Sequence, residues 1–320
     1  SGDRGRDGGV RLGMRKPRAL RPGDRVAVVA PASPFKREEF DAGLAEIRAL
    51  GFEPVYEESV FARQGYVAGR ADVRAAAFRQ AWSGPSIAAL VAARGGYGSV
   101  QILPLLDRDA VGRQPKAFIG YSDNTSILSW LTLQCGIVSF HGPMIEGRLA
   151  RGAEGYDRDT FTRCLCTPEA AGEIMHPQIE TIAPGEAAGV LLGGTLTQLT
   201  ASLGTPYAFD PPPGFVLFVD EVAERPFRID RMLTQLRLSG ILARASAVVF
   251  GELPRCDEPD GRPTARAMVA EVMDGFRGPV LFGLPSGHTS GATLTLPFGV
   301  RARAIAGAHP RLVIEEAAVS

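Results

Sequence analysis

Charge imbalance is missing from this chain: 35 Lys and Arg stand against 35 Asp and Glu over 320 residues. With no net field to draw in a polyanion, neither nucleic acid nor an anionic membrane surface is expected as a partner. Long apolar runs are missing too, and none approaches the roughly 20 residues that a membrane-crossing helix needs. Cysteine is scarce, and Cys135, Cys164, Cys166 and Cys256 include no pair separated by two residues. Reduced thiols in a cytoplasmic protein are therefore expected rather than a metal site or a disulfide framework, and no metal or other cofactor is implied. Internal repeats and low-complexity segments are also lacking.

What is present suffices for two compact α/β units, since 45% of the residues are hydrophobic and the length allows each unit its own core. Residues 1–17 are rich in Arg, Gly and Asp, lack the apolar stretch of a secretory signal and are expected to be a disordered tail. Residues 18–147 read as strand alternating with helix. The strands are Arg25 to Ala30, Pro54 to Tyr56, Ala88 to Ala93 and Ala117 to Gly120; helices over Glu38 to Leu50 and Ala71 to Trp82 lie between them. That alternation predicts a parallel sheet with ligand-binding loops at the C-terminal strand ends. The loops Pro31 to Pro34, Arg94 to Gly98 and Tyr121 to Asn124 should then meet along one edge. Residues 148–185 carry mixed charge with little periodicity and are expected to be a linker. Residues 186–320 form a second α/β or α+β unit, with strands at Gly189 to Gly194, Phe215 to Glu221, Ala247 to Phe250 and Val280 to Gly283, and a helix at Phe227 to Ser239.

Ser122 stands at the end of the strand Ala117 to Gly120 and at the mouth of a helical segment running from Ser126 toward Leu133. A hydroxyl on such a strand-to-helix turn is pushed out of the sheet edge beside the first free N–H groups of the helix, as a nucleophile requires. The same placement also suits Ser122 or Asp123 as a helix N-cap. Four histidines are available as a base. His176 and His309 read as surface residues, and His141 as either a buried, hydrogen-bonded loop residue or a pocket residue. His288, in a loop of small residues after an apolar strand, has the access a general base needs. Asp220 and Glu221 end another strand, and the two-residue period sets them on opposite faces, leaving one of them to orient a histidine.

Taken in order, Arg94-Gly-Gly-Tyr-Gly, Gly120-Tyr-Ser-Asp-Asn-Thr, His141-Gly-Pro-Met, Leu192-Gly-Gly-Thr-Leu, Asp220-Glu221, Arg228-Ile-Asp-Arg-Met-Leu and Gly283-Leu-Pro-Ser-Gly-His closely resemble the LD-carboxypeptidase family of serine peptidases. The likeness spans residues 20 to about 315. The family comprises muramoyltetrapeptide carboxypeptidases of murein recycling and related microcin C immunity hydrolases. The resemblance implies an N-terminal flavodoxin-like or amidotransferase-like α/β domain, a smaller β-rich α/β C-terminal domain and a site between them. It further implies Ser122 as nucleophile, His288 as base and Glu221 as orienting acid, acting on the L,D-bond that releases D-alanine from murein tetrapeptide. A peptidyl or aminoacyl nucleotide is the alternative substrate, and a non-catalytic binding module a third reading. Oxyanion donors are expected from the N–H of Asp123 and of Gly95 or Gly96. Arg94 is a candidate clamp for the substrate carboxylate, a task backbone N–H groups can also perform. Asp230 and Arg231 are expected to make structural or dimer contacts in a homodimer.

Overall fold

The computed structural model describes residues 13–320. Of the expected tail over 1–17, residues 1–12 lie outside the described residues; the remainder is tied into the fold. The Arg15 N–H donates to Gly136 O at 2.8 Å, its carbonyl accepts from Val138 N at 3.0 Å, and its guanidinium reaches Cys135 O and Gly112 O. Ser320 N donates to Pro17 O at 2.9 Å.

Apolar runs build the first layer. β1 (Arg25–Val29), β2 (Glu53–Val55), β3 (Ile87–Ala92), β4 (Ala117–Gly120) and β5 (Ser139–His141) are parallel and lie in the order β5-β4-β3-β1-β2. β1, β3 and β4 are buried almost throughout, which is why they read as unbroken apolar stretches rather than alternating ones. The helix Arg37–Ala49 presses Phe40, Leu44 and Ile47 onto this sheet, and Ala71–Ser83 buries Phe78 and Trp82. The three expected loops converge at the C-terminal edge: Ser33 N donates to Gly95 O at 3.1 Å, Tyr97 N to Ser33 Oγ at 3.0 Å, and Asn124 Nδ2 to Arg94 O at 3.2 Å.

The second layer starts inside the expected linker. Residues 148–185 contain the helix Arg158–Leu165 and the strands β6 (Ala170–Ile174) and β7 (Glu180–Ala183). β8 (Gly185–Thr195), β9 (Phe215–Asp220), β10 (Ala245–Gly251) and β11 (Val280–Leu284) follow as a parallel block. β12 (Leu296–Phe298) crosses over to pair antiparallel with β5, completing the first sheet. β13 (Arg301–Ala306) and β14 (Arg311–Ala317) return to the second, whose order is β6-β14-β13-β8-β9-β10-β11-β7. β6 and β7 are its two edges. An edge strand needs few buried side chains, so its mixed polar sequence carries weak periodicity.

The two faces of β9 serve different cores. Val216 and Phe218 pack into the hydrophobic cluster shared with the first sheet. Phe215, Leu217 and Val219 face a separate cluster with Ile229, Leu233 and Leu236 of the helix Pro226–Leu238. Asp220, two residues past Phe218, therefore emerges toward the first sheet, and Glu221 toward the second core.

Candidate active site

β4 ends at Gly120, and the chain turns through Tyr121 into a short helical turn at Ser122–Asn124. Ser122 sits at φ 62°, a left-handed conformation that costs a non-glycine residue about 1–3 kcal/mol and recurs at nucleophile turns. Gly95 faces it closely: a Cβ there would stand 2.8 Å from Ser122 Cβ and 3.0 Å from its Oγ. The glycine-rich loop thus lines the hydroxyl with backbone. Gly96 belongs to the same loop, packed against Ser33. The Asp123 carboxylate is turned away, accepting from Ser99 N at 2.8 Å, and burial raises its pKa. What Asp123 can present toward Ser122 is its backbone N–H at the start of the turn. Arg94 is engaged elsewhere: Nη1 donates to Pro34 O at 2.7 Å and Nε lies 3.3 Å from Glu146 Oε1. Its guanidinium, on a side chain 44% exposed, is held by these two contacts in the structure.

His288 arrives from the loop after β11. Its Nδ1 lies 2.7 Å from Asp220 Oδ2, and its backbone N–H donates to Asp220 Oδ1 at 3.1 Å. Asp220 is fully buried, with Thr195 Oγ1 a further donor at 3.3 Å. A carboxylate on Nδ1 stabilises the Nδ1–H tautomer and leaves Nε2 with the lone pair a base needs. Burial tends to lower the pKa of His288, but the charge and hydrogen bond of Asp220, with a smaller push from Glu221, outweigh it and raise the value.

The structure thus corrects the expected acid. Glu221 accepts from Thr197 N at 2.9 Å, Thr197 Oγ1 at 2.7 Å and Val222 N at 3.0 Å. It caps the helix Leu196–Ala201 and makes no hydrogen bond to His288 among the described residues. The strand period separated the two acids as expected, and the core beneath Phe218 decides which of them meets the histidine.

Sequence reasoning leaves His141 open between a buried loop residue and a pocket residue, and assigns no role to Gly287, Tyr121 or Arg148. His141, fully buried at the end of β5, packs edge-on against Phe218 with centroids 5.1 Å apart and sets Nδ1 3.1 Å from Ser286 Oγ. Its Nε2 has no hydrogen-bond partner and lies 3.9 Å from Asp220 Oδ2. Burial lowers its pKa to about 4. Gly287, at φ 76°, is wedged between Asp220 and His141, where a Cβ would come within 2.6 Å of His141 Cε1. Tyr121 stacks edge-on against His288 with centroids 5.0 Å apart and accepts from Arg148 Nε at 3.2 Å. Arg148 lay within the expected linker and gave no sequence signal.

His309 is exposed, His176 partly exposed, and Asp230 and Arg231 are exposed on the helix Pro226–Leu238 away from these contacts. The four cysteines are free, and burial pushes the thiols up to about 12 for Cys135 and Cys164 and about 11 for Cys166 and Cys256. Among the described residues no helix is long and apolar enough to cross a membrane. Chemically, the site offers a hydroxyl on a strained turn, an imidazole held by a buried carboxylate, and backbone N–H groups beside the hydroxyl.

Both halves of the chain are similar to known proteins. The model of the LD-carboxypeptidase N-terminal domain matches residues 26–142, and that of the LD-carboxypeptidase C-terminal domain matches residues 188–304. A putative carboxypeptidase of Streptomyces coelicolor is 39% identical over 292 residues, covering 90% of this chain and 92% of that protein. The crystal structure of muramoyltetrapeptide carboxypeptidase from Oxalobacter formigenes superposes with a TM-score of 0.80 at 30% identity, covering 92% of this chain and 99% of that one. MccF, a microcin C7 self-immunity protein, in complex with glutamyl sulfamoyl guanosine gives a TM-score of 0.87 at 23% identity over 95% of this chain and 99% of its own, a likeness of fold. With both halves matched in order and a relative at that identity over nine-tenths of its length, the chain belongs to the LD-carboxypeptidase family of serine-type carboxypeptidases.

Proposed function

We propose that the protein hydrolyses the L,D-peptide bond of murein tetrapeptide, releasing the terminal D-alanine during peptidoglycan recycling. The observation that carries the reading is the His288–Asp220 pair at 2.7 Å, supplied by the second sheet beside the strained Ser122 turn of the first. In this mechanism His288 Nε2 takes the proton from Ser122 Oγ as the oxygen attacks the carbonyl of the L-centre. The resulting oxyanion is held by the N–H of Asp123 and of Gly95 or Gly96. Collapse of the intermediate breaks the C–N bond, and the proton on His288 passes to the departing amine of D-alanine. Water, deprotonated by the same imidazole, then cleaves the acyl-enzyme ester. Asp220, hydrogen-bonded to Nδ1, stabilises the imidazolium.

Because Arg94 is tied to Pro34 and Glu146, capture of the substrate carboxylate falls to backbone N–H groups of the glycine loop. We place the enzyme in the cytoplasm, where free thiols such as its four persist. The test is mass spectrometry of the products from murein tetrapeptide and from an aminoacyl sulfamoyl adenosine. Release of D-alanine from the tetrapeptide supports the reading. Cleavage of the nucleotide analogue with the tetrapeptide left intact contradicts it and moves the substrate to the antibiotic class.

A further inference from the structure

Arg148 is 6% exposed, and its guanidinium is spread over five neutral oxygens. Nε donates to the Tyr121 hydroxyl at 3.2 Å, Nη1 to Gly291 O at 2.9 Å and Gly155 O at 3.3 Å, and Nη2 to Gly287 O at 2.8 Å and Thr289 O at 3.0 Å. Among the described residues it forms no ion pair with a carboxylate. Buried arginines are ordinarily paired, because an isolated charge is costly to desolvate. Here a full set of hydrogen bonds offsets that cost, so the question is what they hold together. Tyr121 immediately precedes Ser122, and Gly287 and Thr289 flank His288 on either side. One side chain therefore ties the turn bearing the nucleophile, at the edge of the first sheet, to the loop bearing the base, which belongs to the second.

We propose that Arg148 is a positioning residue that fixes the Ser122 turn and the His288 loop relative to each other across the boundary between the two sheets. The proposal rests on the reading of Ser122 and His288 as nucleophile and base. Other contacts leave that task open. Glu252 holds the far side of the loop through Thr289 Oγ1 and Ser290 N but belongs to the second sheet itself. Asp220 orients the imidazole yet also comes from the second sheet. His141 comes from the first sheet and meets the loop at Ser286 Oγ, 3.1 Å from its Nδ1, but its side chain makes no hydrogen bond to the Ser122 turn among the described residues. Lysine could not replace the fork, since a compact ammonium with three donors cannot span five oxygens lying around a plane.

The charge of Arg148 adds a second readout. The groups facing His288 are Asp220 and Glu221 from the end of β9, Tyr121 from the nucleophile turn, His141 from β5 and Arg148. The two acids favour the imidazolium, and Arg148 opposes it. A neutral replacement should therefore raise the pKa of His288, in addition to loosening the geometry.

The experiment compares wild type with Arg148→Lys and Arg148→Gln. It measures kcat and KM on murein tetrapeptide and the thermal midpoint of each variant. It also follows the His288 ring titration by NMR in a Ser122→Ala background, where turnover plays no part. The expected result is a loss of about 10–100-fold in kcat for Arg148→Lys with KM changed by less than about 3-fold, because a misplacement of about 1 Å can cost ~100-fold. Arg148→Gln should lose more, and its His288 midpoint should move to higher pH. A folded Arg148→Lys with wild-type kcat overturns the proposal, as does a His288 midpoint unmoved in Arg148→Gln. If Arg148→Gln fails to fold, Arg148→Lys alone decides through its kcat. If wild type leaves the tetrapeptide uncut but cleaves the aminoacyl sulfamoyl adenosine, only the proposed substrate is overturned, and the same kcat comparison on that nucleotide analogue decides for Arg148.

Discussion

Asp220 Oδ2 lies 2.7 Å from His288 Nδ1, while the next residue, Glu221, spends its carboxylate on Thr197 and Val222. Two adjacent acids at one strand end thus have opposite duties. Asp220→Asn should lower kcat by about 10⁴, the scale of the equivalent change in another serine protease, because the amide favours the wrong imidazole tautomer. Glu221→Gln should keep most of the activity and cost about 1 kcal/mol of stability through the weakened helix cap. Turnover and melting of both variants check this; a more damaging Glu221→Gln with the fold intact would return the orienting role to Glu221.

The pH profile follows from the same pair. His288 must be neutral to accept the serine proton, and its pKa is raised, with the pull of Asp220 exceeding the opposing effect of burial. Activity should therefore rise with pH through a midpoint above the ordinary histidine value of about 6.5. In Asp220→Asn the acidic pull is gone, so the residual activity should reach its half-maximum at lower pH. A midpoint that stays put in Asp220→Asn would show that another group controls it.

His141 predicts an opposite trend in stability. Its folded pKa is lowered to about 4, so the unfolded chain binds a proton in the range from about 6.5 to about 4 while the folded chain does not. Stability should fall as pH drops through that window, by roughly 3 kcal/mol at most. His288, with its raised value, contributes in the other direction, its stabilisation being lost as pH rises through its folded pKa. His141→Gln cannot titrate and should flatten the acid slope in denaturant unfolding between pH 7 and 4. An unchanged slope would mean that other groups carry it.

Gly95→Ala tests how tightly the loop lines the nucleophile. The added Cβ would press on Ser122 Cβ at 2.8 Å, and Gly95 does not occupy the left-handed region, so backbone strain is not at issue. Turnover should drop about 100-fold with only a small change in melting temperature. Full activity in this variant would place the reacting hydroxyl elsewhere.

How much of this was legible beforehand depended on where each element finds its partners. β1, β3, β4, β9, β10 and β11 are buried in sheet interiors and announce themselves as short apolar runs. The loops that end β1, β3 and β4 had to meet once those strands were parallel. β6 and β7 are half-exposed edges, and β12 has three residues whose partner, β5, lies in the other half of the chain, so none left a periodic trace. At the site, Ser122 and His288 stood at strand ends among small residues and could be singled out. The two-residue period separated Asp220 from Glu221, but choosing between them required knowing that Phe218, and not Val219, faces the first sheet. Arg148 was invisible because four of its five acceptors are backbone carbonyls, up to 143 positions away.

Turnover of murein tetrapeptide by Ser122→Ala decides whether Ser122 is the nucleophile, with circular dichroism confirming the fold and mass spectrometry following D-alanine. The expected result is a loss of about 10⁶ in kcat, the scale seen when a triad serine is removed. A folded Ser122→Ala enzyme that retains more than a few per cent of wild-type turnover would contradict it.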